Sequence, residues 1–142
     1  MGNNVQRTKK VNYEDIQLII KKRLPNMLLI NTLELSEQDC LIPNTVNAHV
    51  EEKIINENLK NKNLNIVLYG KNCSDQNVEK KYLKFIELGF TNIYIYPGGL
   101  FEWLLLQDIY GRNDFPTTKK ELDILKFKGR TQFNKNMLIC LD

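Results

Sequence analysis

The sequence predicts an α/β domain built on a mostly parallel central sheet with helices on both faces. Three observations carry this. Residues 27–30, 66–69 and 93–96 are short continuous apolar runs, the pattern of strands buried on both faces. The segments between and after these runs repeat apolar residues at helical spacing, and strand-helix-strand order favours parallel neighbours in one sheet. A chain of 142 residues is long enough for one such domain with a real core and too short for two.

Residues 1–10 show no periodicity and read as a flexible polar arm preceding a domain over 11–116. Asn12 with Asp15 three residues later forms a helix start, and Ile16, Ile19, Ile20 and Leu24 recur at helical spacing until Pro25. Residues 33–49 lack a period and form a long connection, with a brief strand at 45–46. A second helix is expected over 51–59, with Ile54, Ile55 and Leu59 on one face. The strand at 66–69 is followed by the loop Gly70-Lys71-Asn72-Cys73-Ser74-Asp75. The next helix takes Ser74 or Asp75 as its cap, buries Val78, Tyr82, Phe85 and Ile86, and ends at Leu88-Gly89 with the glycine just past the end. Pro97-Gly98-Gly99 breaks the third strand, and 100–109 is a fourth helix.

Residues 117–142 are expected to pack on the domain as an extension. Thr118 offers a helix cap, and Leu122, Ile124, Leu125 and Phe127 offer apolar contacts. The basic run Lys126-Phe127-Lys128-Gly129-Arg130 overlaps them, and 137–141 is either a last strand or an interaction segment.

Composition narrows the function. Hydrophobic residues make up 42% and charged residues 26%, and no apolar run approaches the roughly 20 residues that cross a bilayer. The opening MGNNVQRTKK lacks the apolar stretch of a secretory signal, so the protein is expected to stay in the reducing cytoplasm. Gly2 is a possible myristoylation acceptor, but Gln6 stands where Ser or Thr is preferred. The net charge of +3 comes from lysines scattered among acids rather than gathered in a stripe, so no nucleic-acid partner is expected. Cys40, Cys73 and Cys140 follow no paired spacing, and His49 is the single histidine. No metal and no cofactor is expected. His49 has no acid or serine arranged around it and reads as a surface or capping residue.

Two segments resemble the rhodanese, or sulfurtransferase, superfamily. Leu88-Gly89-Phe90-Thr91-Asn92-Ile93-Tyr94-Ile95-Tyr96-Pro97-Gly98-Gly99-Leu100-Phe101-Glu102-Trp103 is similar to the family's closing signature. There a helix ends in Gly-aromatic, a strand follows, and Gly-Gly precedes a tryptophan that packs back on the sheet. The stretch from Leu29-Ile30-Asn31 to Cys40-Leu41-Ile42-Pro43-Asn44-Thr45-Val46-Asn47 resembles the early strand and the turn after it, best at Ile42-Pro43 and Val46-Asn47. Residues 103–118 resemble uncharacterised rhodanese-like proteins of large DNA viruses and protists.

The resemblance also marks what this chain lacks. The family carries an acid after the first strand, here Asn31, and a histidine in the turn, here Leu41. It places its catalytic cysteine immediately after the strand that ends at Tyr69, where this chain has Gly70. Sulfur transfer needs a thiolate that accepts a sulfane sulfur as a persulfide, cradled by backbone N–H groups at a helix N-terminus. Glycine can line such a cradle but cannot attack. Asp75 puts negative charge where the family often has arginine. The expectation is therefore a non-catalytic binding or regulatory module with an unidentified protein partner.

The alternative is a divergent thiosulfate or persulfide sulfurtransferase. The loop is about two residues longer than the family's when counted back from Leu88-Gly89-Phe90, so Cys73 is its candidate nucleophile, with loop amides and Lys71 at hand. A phosphate-ester site of the related phosphatase type lacks both the cysteine and the arginine at the ends of the loop.

Overall fold

The structure is a computed structural model that describes residues 8–133. Its five-stranded sheet, in the order β1-β5-β4-β2-β3, is parallel throughout. The strands are β1 (Lys9–Lys10), β2 (Met27–Asn31), β3 (Thr45–Val46), β4 (Asn65–Tyr69) and β5 (Asn92–Ile95). Four helices, α1 (Tyr13–Lys22), α2 (Glu51–Glu57), α3 (Gln76–Glu87) and α4 (Gly99–Tyr110), alternate with them.

The strands β2 and β4 are apolar on both sides because both sides are covered. Val67 and Tyr69 join Leu29, Ile16, Ile19 and Trp103 under α1 and α4, while Ile66 and Leu68 join Ile30, Ile55, Val78 and Phe85 under α2 and α3. Burying each such side chain contributes about 1.5–3 kcal/mol against leaving it in water.

Local chemistry sets the helix ends. Asn12 and Asp15 form a reciprocal capping box at α1: Asn12 Oδ1 accepts from the Glu14 and Asp15 amides, and Asp15 Oδ2 accepts from the Asn12 amide. At the end of α3, Gly89 takes φ +100°. Its N–H reaches Ile86 O, and Phe90 N–H reaches Phe85 O, which satisfies two end carbonyls while the Phe85 and Phe90 rings meet edge to face at 6.1 Å.

Several expectations are corrected. Lys9 and Lys10, read as part of a flexible arm over 1–10, form the edge strand β1 in register with Tyr94 and Ile95; residues 1–7 lie outside the described residues. The second helix stops at Glu57 because Asn58 turns back on it, Nδ2 to Ile54 O at 2.8 Å, and Leu59 is left exposed. Thr118 caps no helix. Its N–H donates to Leu41 O, and its hydroxyl accepts from Leu41 N and donates to Asp39 O. That clasp starts the extension across the carboxyl end of the sheet. Phe127 is buried in a 3-10 turn (Ile124–Phe127), but Leu122 and Leu125 face solvent. The segment 137–141 lies outside the described residues.

Candidate functional site

The loop 70–75 joins β4 to α3 at the carboxyl end of the sheet, the edge where open α/β folds place their sites. It is fixed from below by α4. The Leu100 and Phe101 amides donate to Gly70 O at 2.9 Å and Lys71 O at 2.8 Å. So close an approach demands glycine at 99: its φ is +63°, and a Cβ there would lie 2.6 Å from Gly70 O.

Asp75 governs the inside of the loop. As the cap of α3 its Oδ1 accepts from the Asn77 amide at 3.0 Å. Its Oδ2 accepts from the Lys71 amide at 3.1 Å and the Thr32 hydroxyl at 2.9 Å. The carboxylate therefore fills the space over Gly70, where a Cβ would lie 2.3 Å from Asp75 Oδ2 and 2.7 Å from both Thr32 Oγ1 and Val78 Cγ2. Other loop amides are also taken up internally: Ser74 N–H reaches Asn72 Oδ1 at 2.8 Å and Asp75 N–H reaches Asn72 O at 3.3 Å.

Cys73 is exposed, and the one polar group within reach of its Sγ among the described residues is Ser74 Oγ at 3.9 Å. It lines a cleft of about 580 Å³ between α3 and β5, with Thr8, Lys10, Tyr82, Ile95 and Pro97. Lys71 pairs with Glu37 at 3.0 Å. Asn72 ties the loop to the extension, Nδ2 to Phe127 O at 2.9 Å.

Asn31 is 1% exposed yet has all its polar atoms engaged. It faces Gln38 in a reciprocal amide pair, Nδ2 to Oε1 and Nε2 to Oδ1, both at 3.0 Å. Val46 O and Leu33 N–H complete its shell. Leu41 is buried. Tyr69, at the end of β4, accepts at its hydroxyl from Ile42 N–H and shares a hydrogen bond with Thr45 Oγ1. Burial pushes that hydroxyl far above its ordinary range. His49 is exposed, its Nε2 3.2 Å from Leu35 O and away from the loop.

The helix-strand-Gly-Gly-tryptophan arrangement is now in three dimensions. Trp103 is fully buried edge-on to Tyr96 and Phe115, with its indole N–H on Pro116 O at 2.8 Å. The rhodanese-like domain model matches residues 20–106, which span β2 to α4 and include this whole arrangement. The chain belongs to the rhodanese-like family. A solved structure of the BH2092 protein from Bacillus halodurans has a TM-score of 0.57 to this fold at 18% identity, over 73% of this chain and 74% of that one. The single-domain sulfurtransferase RDL2 of Saccharomyces cerevisiae has a TM-score of 0.56 at 19% identity, over 75% of this chain and 97% of that one. The Alr3790 protein from Anabaena sp. has a TM-score of 0.56 at 18% identity, over 82% and 84%. At such identities the likeness concerns the fold alone. No curated protein matches the sequence.

Sequence reasoning missed Thr32, Gln38 and the anchoring of Phe127. Each acts through a partner distant along the chain or hidden by lack of period, and no local spacing announces it.

Proposed function

We propose that this rhodanese-like domain is a binding or regulatory module that does not transfer sulfur. The observation that supports it best is the Asp75 carboxylate seated over Gly70. A persulfide or thiosulfate is an anion that needs free amides and an adjacent nucleophile. Here a resident carboxylate takes the Lys71 amide and the Thr32 hydroxyl, and the residue beneath it has no side chain. Like charge would also oppose a second anion in that space. Asn31 and Leu41 point the same way, since they replace the family's charged neighbours with a neutral amide pair and an apolar side chain. The module works inside the cell, with its thiols reduced and a protein as its partner.

The test is intact mass after the reduced protein is incubated with thiosulfate or a persulfide donor, beside Cys73→Ser and a cyanide-treated sample. No cyanide-labile sulfur is expected on any of them. One sulfur gained by the wild type, lost on cyanide treatment and absent from Cys73→Ser would overturn the reading and make exposed Cys73 a displaced sulfur carrier.

A further inference from the structure

The extension lays the basic run 126–130 across the outer side of the loop, and it does so on firm anchors. Phe127 is 1% exposed and its carbonyl is held by Asn72, while Gly129 passes where a Cβ would lie 3.7 Å from Asn72 Oδ1 and Ser74 Oγ. The backbone turns extended at Lys128, just past the 3-10 turn, and Lys126, Lys128 and Arg130 line one cleft. The cleft has a volume of about 610 Å³, and Lys71 and Lys80 line it from the loop and α3.

The charges do not cancel. Lys71 is paired with Glu37 and Lys126 with Glu121, but Lys80, Lys128 and Arg130 have no ion-pair partner among the described residues. Two acids line the cleft. Glu34 and Asp75, the latter hydrogen-bonded only to the neutral donors of Thr32, Lys71 and Asn77, both oppose an incoming anion, and the three cations without an ion-pair partner outnumber them. Like charges held together by a packed strap repel one another, and an anion between them relieves that cost.

The walls limit the kind of anion. Every lining residue is polar or charged, with no aromatic face to stack a base and no apolar pocket for the flanking side chains of a peptide. We infer that this cleft binds a small ligand carrying clustered phosphate groups, gripped by Lys80 of α3 and by Lys128 and Arg130 of the extension. The inference goes beyond the binding-module reading and rests on the cations of α3 and the extension, while Cys73 lines a second cleft that shares Asn72, Ser74, Asp75 and Gln76 with this one.

The test titrates the full chain with inorganic tripolyphosphate by calorimetry at two salt concentrations. Lys128→Gln/Arg130→Gln is compared with Lys60→Gln/Lys62→Gln, a charge-matched control in the exposed turn before β4. Saturable one-to-one binding that weakens with salt is expected, with Kd raised about tenfold or more by the cleft pair and less than about twofold by the control. Lys80→Gln, on a different element, should weaken binding as well, and keeps the test decisive if the strap variant loosens. Equal losses in cleft and control variants, or no saturable binding to wild type, would overturn the inference. Tighter binding of single-stranded RNA of matching charge, with the same dependence on Lys128 and Arg130, would replace it with a nucleic-acid groove.

Discussion

The Asp75 carboxylate accepts a hydrogen bond from the Thr32 hydroxyl at 2.9 Å, joining the cap of α3 to the residue that follows β2, 43 positions earlier. The contact closes the loop on an anion of its own, so one side chain serves as helix cap, loop brace and occupant. Asp75→Ala removes three hydrogen bonds and should destabilise the fold by about 2 kcal/mol, the sum of a lost cap and partly buried donors left without acceptors. Asp75→Asn keeps an oxygen for the Asn77 amide and should cost about half as much. Urea unfolding of the two variants measures this, and an alanine variant as stable as wild type would mean that the carboxylate braces nothing.

The crowding above Gly70 makes a second prediction. Gly70→Cys restores the family's residue but drives its Cβ into Asp75 Oδ2, and overpacking of that kind costs about 1–3 kcal/mol. Combined with Asp75→Ala the same cysteine should be better tolerated, so the double variant should be more stable than the sum of the single losses predicts. Val78 and Thr32 still crowd the site, which keeps the relief partial. A strictly additive cycle would place the clash elsewhere.

What the sequence could and could not tell follows from the range of each interaction. The capping box of Asn12 and Asp15, the Gly89 turn and the doubly apolar strands are written within a few residues, and all were legible. The two-residue strand β1 was not, because Lys9 and Lys10 carry no strand pattern and gain their place by pairing with Tyr94 and Ile95. Likewise Asp75 could be recognised as a candidate cap, but its inward turn depends on Thr32. The replacements Asn31, Leu41 and Gly70 were visible as departures from a family pattern; how Gln38 satisfies Asn31 required the fold.

That amide pair is committed to its own chemistry. Gln38 Nε2 also donates to Leu33 O and Glu34 O, and its Oε1 accepts from Ala48 N–H, so the amide cannot turn over to suit a new neighbour. Asn31→Asp, which restores the family's acid, would set a carboxylate oxygen against Gln38 Oε1 and Val46 O in a buried site. The expected loss is about 2 kcal/mol or more at neutral pH, read from chemical denaturation. A variant as stable as wild type would show that the shell can rearrange around a charge.

Gly99 carries the support of the loop from beneath. Gly99→Ala meets a positive φ and the Gly70 carbonyl at once, so it should cost about 1–3 kcal/mol. Because the Leu100 and Phe101 amides hold Gly70 and Lys71, the damage should spread to the loop. Faster hydrogen exchange at both amides is the measurement, and unchanged protection there would separate α4 from the loop.

Stability should fall on the alkaline side. Burial raises the folded-state hydroxyls of Tyr69 and Tyr96, with Glu102 adding to the effect at Tyr96, and burial likewise raises the Cys40 thiol. Each group stays protonated in the folded chain while its unfolded counterpart ionises, near the ordinary values of 10.0 for tyrosine and 9.0 for cysteine. The unfolded state then binds fewer protons than the folded state, so unfolding free energy declines as pH rises. The stabilisation is complete below those values and drains away above them. Thermal melts should therefore be flat from about pH 7 to 8.5 and drop steadily above about pH 9. Tyr69→Phe separates the contributions: it leaves the buried Ile42 N–H without its acceptor, lowering stability by about 1–3 kcal/mol at neutral pH, and should make the alkaline decline shallower. An alkaline slope identical to that of wild type would assign the loss to Tyr96 and Cys40 instead.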